Sequence, residues 1–310
     1  MEIDKKKAYY ADMSLIIVAI VCGGEIVAIK FALEEFSALY VNVFKFGFGT
    51  IIAAAIFRKS IKEIGIKYFK SGIILGSFKF LAVALMTISL KYTSVAVGSL
   101  LSSLSVVFIP IFTSIVYRRR LTLAALSGAV VCMTGIYFLT FSGNMRFGHG
   151  EMIAVLSAAV ASVYDIIKEH YVKNLNPITV TITQNGIAAI FYLVAAVILD
   201  PVPVYSGNIR SILSMLYIIF FATAISQVIV SVSLKYTTAS RQAVVLSLIS
   251  VFAAVFGYFI LNEVLTISQL IGFLFILASI IIIETELKFI THGQDSTAKG
   301  NRIEDRSWKK

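Results

Sequence analysis

The chain has 310 residues, of which 58% are hydrophobic and only 14% are charged, and its formal net charge is +10. Its mean hydropathy is +0.90, whereas a typical soluble domain is about half apolar and about a quarter charged. This composition excludes an ordinary soluble protein. Apolar runs of about 20 residues, long enough to cross about 30 Å of hydrocarbon as a helix, recur along the chain. The sequence therefore predicts an all-α integral membrane protein.

Ten transmembrane helices are predicted in chain order, separated by short breaks that carry charged or turn residues. The predicted spans cover 13–33, 37–57, 71–90, 94–117, 121–142, 150–171, 178–199, 210–234, 239–260 and 267–286. Residues 1–12 form a polar N-terminus. Residues 288–310 are polar and lack periodicity, which is typical of a disordered tail.

The basic residues predict the orientation of these spans. If the N-terminus is cytoplasmic, about 21 lysine and arginine residues fall on the cytoplasmic side, and only Lys91, Arg146 and Arg210 fall on the other. The positive-inside rule then places both termini in the cytoplasm and the protein in the plasma or inner membrane. The positive charge follows from this topology, so nucleic acid is not an expected partner.

Residues 90–128 align without gaps to residues 234–272, and both segments begin with Leu-Lys-Tyr-Thr. The aligned pairs further along include Leu121/Leu265, Thr122/Thr266 and Gly128/Gly272. Residues 13–144 and 145–287 then form two repeats of five spans each, and an odd number of crossings inverts the second repeat. Inverted repeats are typical of secondary transporters, whose substrate site lies near the bilayer midplane between the halves.

Three segments resemble the drug/metabolite transporter superfamily, of the ten-helix EamA-like type. They are "GGEIVAIKFALEEF", "LKYTS…SLLSSLSVVFIPIF…LT" and "LKYTT…VLSLISVFAAVFGYFILNEVLT…IG". The resemblance extends over about residues 12–287 and implies transport of small metabolites, such as amino acids, amines or other organic solutes, without ATP hydrolysis.

The sequence departs from the family pattern at several positions. Glu263 keeps the acidic residue of the turn that ends the second repeat, but Arg119 occupies that position in the first. Cys22 stands where an aromatic residue is usual, and Lys45 stands where the family often has arginine. Lys30 matches the lysine of the family's first helix, and its place near the end of span one would also let it reach the membrane interface.

Glu25, Lys45 and Lys79 lie near the middle of the first three predicted spans. Glu25 is about 3 Å from the centre of its span at 1.5 Å per residue. Each charge costs about 2.5–3.5 kcal/mol at the centre of a membrane helix. We therefore expect the three side chains to face the interior of the bundle and to meet there.

Three interpretations of these charges remain open. Glu25 could neutralise one lysine in a fixed ion pair. The three could instead line a cavity in which the extra lysine binds a substrate carboxylate and Glu25 binds a substrate amine. Glu25 could also be a protonation switch, because burial and a neighbouring lysine shift a carboxyl pKa in opposite directions.

The second half carries further polar residues within its predicted spans: Tyr164 and Asp165 in span six, Gln184 and Asn185 in span seven, and Gln227 in span eight. We treat Tyr164 and the three amides as candidate substrate-binding residues, although such groups often only hold helices together. Asp165 is a second candidate for proton coupling, and it could alternatively pair with Lys168.

The sequence predicts a secondary transporter that moves a small polar metabolite by alternating access, with an amino acid or related zwitterionic or anionic solute favoured. The alternative is an organic cation with Glu25 as its counter-charge. An enzyme is disfavoured because the three histidines are scattered without metal-binding spacing. We therefore predict no catalytic residue, metal or cofactor. A channel, the direction of transport, the coupling ion and the oligomeric state are left open.

Overall fold

A computed structural model describes residues 2–116, 123–141, 148–201, 207–263, 266–268, 270–279 and 281–282. All regular secondary structure in these ranges is helical. The predicted tail 288–310 lies outside the described residues, as do Leu121, Thr122 and Leu265 of the repeat.

The helices are numbered in chain order. They are α1 (Glu2–Ala32), α2 (Ala38–Ile56), α3 (Arg58–Ile61), α4 (Ile66–Ser89), α5 (Val95–Ser102), α6 (Ser105–Val116), α7 (Leu123–Phe141), α8 (His149–Asn174), α9 (Pro177–Leu199), α10 (Ile209–Tyr217), α11 (Ser226–Leu234), α12 (Ala239–Leu246), α13 (Leu248–Leu261) and α14 (Leu270–Ser279). A π-helical segment, Ile218–Ile225, joins α10 to α11.

Eight helical segments in the described part of the chain are long and apolar enough to cross a membrane. They coincide with the first four predicted spans and with the sixth to the ninth. The fifth and tenth predicted spans coincide with α7 and with the shorter α14. A multi-pass membrane protein is confirmed, while the number ten stays a prediction.

Two of the membrane-spanning segments are interrupted near their middle. One break separates α5 from α6 at Ser103 and Leu104, and the other separates α12 from α13 at Ser247. Ser103 and Ser247 are aligned in the internal repeat, so the two breaks fall at equivalent positions. Each segment therefore has a short helix of eight residues followed by a longer one.

The two interrupted segments run in opposite directions along α1. The α5 helix begins beside Lys30, close to the C-terminal end of α1, because the Glu263 carboxylate contacts both Lys30 and the Val95 backbone. The α12 helix begins near the other end of α1, where Arg241 forms an ion pair with Asp12. This antiparallel arrangement supports the interpretation of the repeat as inverted.

Helices from the two sequence halves pack closely on each other. The α4 helix packs on α8 and α9, α2 packs on α9, and α1 packs on α13. Gly76 makes one of these approaches possible, because a Cβ atom there would lie 3.0 Å from Ile187 Cγ2 and 3.1 Å from the Gln184 carbonyl oxygen. The interior of the bundle is therefore the boundary between the halves.

Candidate substrate site

Glu25 of α1 and Lys45 of α2 form a buried ion pair. The Lys45 Nζ atom lies 2.5 Å from Glu25 Oε1, and the two residues are only 5% and 7% exposed. The Ser37 hydroxyl caps α2 by accepting a hydrogen bond from the Tyr40 backbone at 3.3 Å, which fixes the start of the helix two turns before Lys45. Because Glu25 and Lys45 pair with each other, neither charge is left without a charged partner inside the bundle.

Lys79 of α4 is 3% exposed and has a different kind of partner. Its Nζ atom donates hydrogen bonds to Asn185 Oδ1 at 2.6 Å and to Gln227 Oε1 at 2.9 Å. It forms no ion pair with a residue that the structure describes. A buried ammonium group is thus held by two neutral amides, both from the second half of the chain.

The Phe46 ring lies close to both lysines. Its centroid is 5.2 Å from Lys45 Nζ and 5.0 Å from Lys79 Nζ, distances at which an aromatic face attracts a cation. Phe46 is fully buried and stacks on Tyr192 with 5.6 Å between the ring centroids. Contrary to the expectation that three charges meet, Lys79 does not join the ion pair of Glu25 and Lys45.

Tyr164, Asp165 and Lys168 bring further polar groups into the same region from α8. The Tyr164 ring centroid is 5.9 Å from Lys79 Nζ and 5.6 Å from Lys168 Nζ. Asp165 is half-buried and within electrostatic reach of both lysines, but it forms no ion pair with a described residue. The alternative of an Asp165–Lys168 pair is therefore not what the structure shows.

Gln184 and Tyr164 carry buried polar atoms that are poorly satisfied. Both side-chain polar atoms of Gln184 and the Tyr164 hydroxyl fail the geometric criteria for a hydrogen bond within the described ranges, although the hydroxyl lies beside the Gln184 side chain. Such a group costs about 1–3 kcal/mol when nothing satisfies it. Gln184 directly precedes Asn185, so these atoms lie beside the partners of Lys79 and could bind water or a polar ligand.

The π-helical segment Ile218–Ile225 sets the direction of Gln227. The Ser226 hydroxyl donates to the Phe221 carbonyl oxygen at 2.7 Å, five residues earlier, and Gln227 follows at once. A π-turn adds a residue to the helical turn and rotates everything after it, and such segments are frequent at functional sites. This rotation lets Gln227 reach Lys79 on α4.

Sequence reasoning missed Phe46, gave Lys168 too small a role and misjudged Lys30. Phe46 carries no charge and gave no indication beyond its position after Lys45. Lys168 is 1% exposed, although the sequence suggested it only as a possible partner of Asp165. Lys30 was expected to reach the membrane interface, but it forms an ion pair: its Nζ atom lies 3.1 Å from Glu263 Oε1.

The described side chains of this region include more basic than acidic groups. Among its described residues, the lysines Lys45, Lys79 and Lys168 face the carboxylates of Glu25 and Asp165, which leaves an excess of positive charge. No cluster of three or more histidine, cysteine, aspartate or glutamate residues suited to a metal occurs in the part of the chain that was described.

Known proteins with similar sequences and folds include transporters. The sequence matches the EamA-like transporter family over residues 10–141 and again over 148–285. An uncharacterized transporter of Archaeoglobus fulgidus is 31% identical over 277 residues, which cover 89% of this chain and 86% of that protein. A chloroplastic WAT1-related protein of Arabidopsis thaliana is 24% identical over 195 residues, 59% of this chain and 46% of its own length.

The fold also matches a crystal structure with a TM-score of 0.68 at 15% identity, covering 92% of this chain and 99% of that one. Similarity at this identity concerns the fold alone. The resemblance of the three sequence segments is confirmed by the two family matches, which cover nearly all of the described helices. The chain belongs to the EamA-like transporter family, within the drug/metabolite transporter superfamily.

Proposed function

We propose that this transporter is a secondary carrier that moves an amino acid or a related zwitterionic or anionic solute by alternating access. The observation that carries the proposal is Lys79, a buried ammonium group at the boundary between the halves with no carboxylate bound to it. Glu25 cannot serve Lys79 while it is paired with Lys45. A substrate carboxylate would supply the missing negative charge.

Recognition would begin when the substrate carboxylate accepts hydrogen bonds from Lys79 and displaces the carbonyl oxygens of Asn185 and Gln227. A hydrogen bond between charged groups is about twice as strong as one between neutral groups, so this exchange is favourable. The Gln184 amide and the Tyr164 hydroxyl could then donate to the same carboxylate. A substrate amine would find the Asp165 carboxylate on the same helix as Tyr164.

An organic cation is the less favoured substrate. It would need Glu25 as its counter-charge, and Glu25 already lies 2.5 Å from the Lys45 ammonium group. Binding a cation would therefore require Lys45 to leave and to stay buried without a partner.

We further propose Asp165, rather than Glu25, as the site of proton coupling. Glu25 is fixed in an ion pair, whereas Asp165 is half-buried and forms no ion pair with a described residue. If Asp165 carries the coupling proton, Asp165→Asn should abolish accumulation driven by a pH gradient and preserve substrate counterflow. Loss of both activities, or of neither, would contradict this role.

The architecture that we propose has two inverted five-helix units, residues 13–144 and 145–287, in the plasma or inner membrane. Both the N-terminus and the C-terminus would be cytoplasmic. The charge bias of the loops and the opposite directions of the two interrupted segments support this arrangement.

The first test is a thermal-shift screen of the purified protein against amino acids, organic acids, phosphorylated metabolites, nucleosides and quaternary amines. A ligand at about 100 times its Kd stabilises the native state by about 2.7 kcal/mol. We expect an anion or zwitterion to stabilise the wild type and not Lys79→Met. Lys30→Met, which removes a lysine outside this region, is the matched control and should keep the shift.

Other outcomes of this screen would contradict the assignment. Stabilisation by cations only, lost in Glu25→Gln, would favour the organic-cation alternative. A shift that survives both Lys79→Met and Glu25→Gln would place the substrate elsewhere. With a ligand in hand, saturable counterflow in vesicles would separate a carrier from a channel.

A further inference from the structure

A groove of about 750 Å³ lies on the outside of the bundle and shares no lining residue with the polar region. It is formed by one face of α1, by α10 and by the end of α13, and its walls are almost entirely apolar. Leu213 and Ile260 in its walls are 59% and 51% exposed, so the groove opens towards the surroundings of the protein. In a membrane protein those surroundings are lipid.

The length of the groove matches one leaflet of a bilayer. Its wall on α1 extends from Ile20 to Phe31, about 16 Å at 1.5 Å per residue. Half of a hydrocarbon core of about 30 Å is about 15 Å. Phe31 belongs to the last turn of α1, so the groove extends from the level of the membrane interface to about the middle of the membrane.

Arg210 stands at the interface end of the groove. Its guanidinium Cζ lies 5.1 Å from the centroid of the Phe31 ring, and its side chain is exposed. It forms no ion pair with any residue of the described ranges. Guanidinium groups bind phosphate oxygens in a bidentate geometry.

Tyr217 closes the other end. Its hydroxyl donates to the Val21 carbonyl oxygen at 2.8 Å, and a Cβ atom on Gly24 would lie only 2.7 Å from that hydroxyl. The Tyr217 ring therefore fills the space above Gly24, next to Glu25 in the sequence. It separates the apolar groove from the charged interior.

We propose that this groove binds one acyl chain of an anionic phospholipid, with the lipid phosphate on Arg210. The apolar walls, the length of one leaflet and the exposed guanidinium group at the interface together fit this ligand. The inference is independent of the proposed substrate, because the groove and the charged region have no polar lining residue in common.

Fluorescence quenching by brominated lipids can test the site in the full-length protein. Trp308 is the single tryptophan of the chain, so Trp308→Phe with Leu213→Trp places one fluorophore in the groove. Val197→Trp, at an apolar position that is 68% exposed on α9, is the matched control. Each variant is reconstituted in phosphatidylcholine that contains increasing fractions of dibrominated phosphatidylglycerol or dibrominated phosphatidylcholine.

We expect phosphatidylglycerol to be preferred over phosphatidylcholine by about fivefold at Leu213→Trp, since a basic group near the membrane surface contributes about 1 kcal/mol. Adding Arg210→Gln should abolish the preference, and Val197→Trp should show none. Equal quenching by both lipids at Leu213→Trp, or a preference that survives Arg210→Gln, would overturn the proposal.

Native mass spectrometry of the chain without an added tryptophan provides a second readout, in case Leu213→Trp does not fold. We expect one phosphatidylglycerol molecule to stay bound to the wild type and to Arg241→Gln, which removes an arginine from the other end of the bundle. Arg210→Gln should lose that lipid. Retention of the lipid by Arg210→Gln would contradict the assignment.

Discussion

At the scale of single residues, Lys45 and Lys79 both lie near the middle of a helix long enough to cross a membrane, but they have different partners. Lys45 pairs with the Glu25 carboxylate, while Lys79 donates its hydrogen bonds to the amide oxygens of Asn185 and Gln227. An ion pair inside a protein resists opening because each partner would be left as an isolated buried charge. Neutral amides can be displaced at a smaller free-energy cost, so Lys79 is the lysine that can exchange its partners for a ligand.

This difference predicts the effect of a carboxylate beside Lys79. Asn185→Asp places a negative charge at the atom that now lies 2.6 Å from Lys79 Nζ. We expect substrate binding to weaken by at least about tenfold, equivalent to about 1.4 kcal/mol, because the new carboxylate occupies the place of the substrate's. The measurement is the ligand concentration at half-maximal thermal shift.

The melting temperature without ligand controls for misfolding in that experiment. It should stay the same or rise, because the substitution supplies a counter-charge to a buried lysine. Gln227→Glu should act in the same direction from the other hydrogen-bond partner. Undiminished ligand binding by both variants would show that the substrate does not bind Lys79.

The positions of the central charges could be predicted from sequence, because a carboxylate or lysine in the middle of an apolar run is conspicuous and costly. Their partners could not. Which lysine pairs with Glu25 depends on how α1, α2 and α4 rotate against each other, and Phe46 comes close to both lysines only through that packing. Likewise, Lys30 pairs with a residue 233 positions away, which local sequence does not indicate.

At the scale of helices, a carboxylate holds the start of each short helix. The Glu263 oxygens accept hydrogen bonds from the backbones of Val95 at 3.1 Å and Ala96 at 3.4 Å, at the start of α5. Glu169 accepts one from the Ala239 backbone at 2.8 Å, at the start of α12 and the other end of the bundle. Carboxylates at helix N-termini are stabilising.

The contacts of Glu263 and Glu169 predict that each carboxylate limits access to the interior from its own side of the membrane. Cys22 lies one turn from Glu25 on α1, and Cys132→Ser leaves it as the single thiol. We expect Glu263→Gln to speed the labelling of Cys22 by a membrane-impermeant maleimide from the side of Lys30. Glu169→Gln should speed labelling from the opposite side.

Loss of a helix cap costs about 1 kcal/mol, so we expect the rate of Cys22 labelling to rise about fivefold in each variant. Reactivity measured in sealed vesicles of both orientations separates the two sides. If both variants raised labelling from the same side, or neither changed it, the carboxylates would not control access.

Close packing between α2 and the π-helical segment gives a prediction about stability. A Cβ atom on Gly49 would lie 2.6 Å from Thr223 Cγ2, whereas a Cβ atom on Gly47 would have no neighbour within 4 Å. Gly49→Ala should destabilise the protein by about 1–3 kcal/mol through overpacking. Gly47→Ala should be neutral or stabilising by up to about 1 kcal/mol, because alanine favours helix.

Thermal denaturation of both variants in one detergent tests this difference, since Gly47 and Gly49 lie on the same helix. Equal stability of the two variants would show that α2 does not approach Thr223 as described. The π-helical segment itself could not be predicted, because its sequence, IIFFATAI, suits an α-helix equally well. Its extra residue is visible only in the hydrogen bonds.

At the scale of the whole molecule, the loop charges predict where each end of the bundle lies. Lys91 and Lys235 are aligned in the repeat and both are exposed. The topology that we propose would put them on opposite sides of the membrane. In a background of Cys22→Ser and Cys132→Ser, Lys91→Cys should react with an impermeant maleimide on intact cells. Lys235→Cys should react only after permeabilisation. Reaction of both on intact cells would refute the inverted topology.

Much of the overall architecture could be predicted, because span length and the repeat are properties of the sequence itself. The eight segments that the structure describes as long enough to cross a membrane begin and end within a few residues of their predictions. The breaks at Ser103 and Ser247 were not predicted. Both serines are aligned in the repeat, but neither segment carries a proline or a charged residue at that position to indicate a break.

The two carboxylates that hold the short helices have a consequence for the evolution of the chain. Both Glu263 and Glu169 belong to the second half, although α5 belongs to the first, and the position equivalent to Glu263 in the first half is Arg119. A first half paired with a copy of itself would lack the acid that α5 uses here. If the repeat arose by duplication, the two copies are no longer interchangeable, because α5 of the first half depends on an acid that the second half supplies.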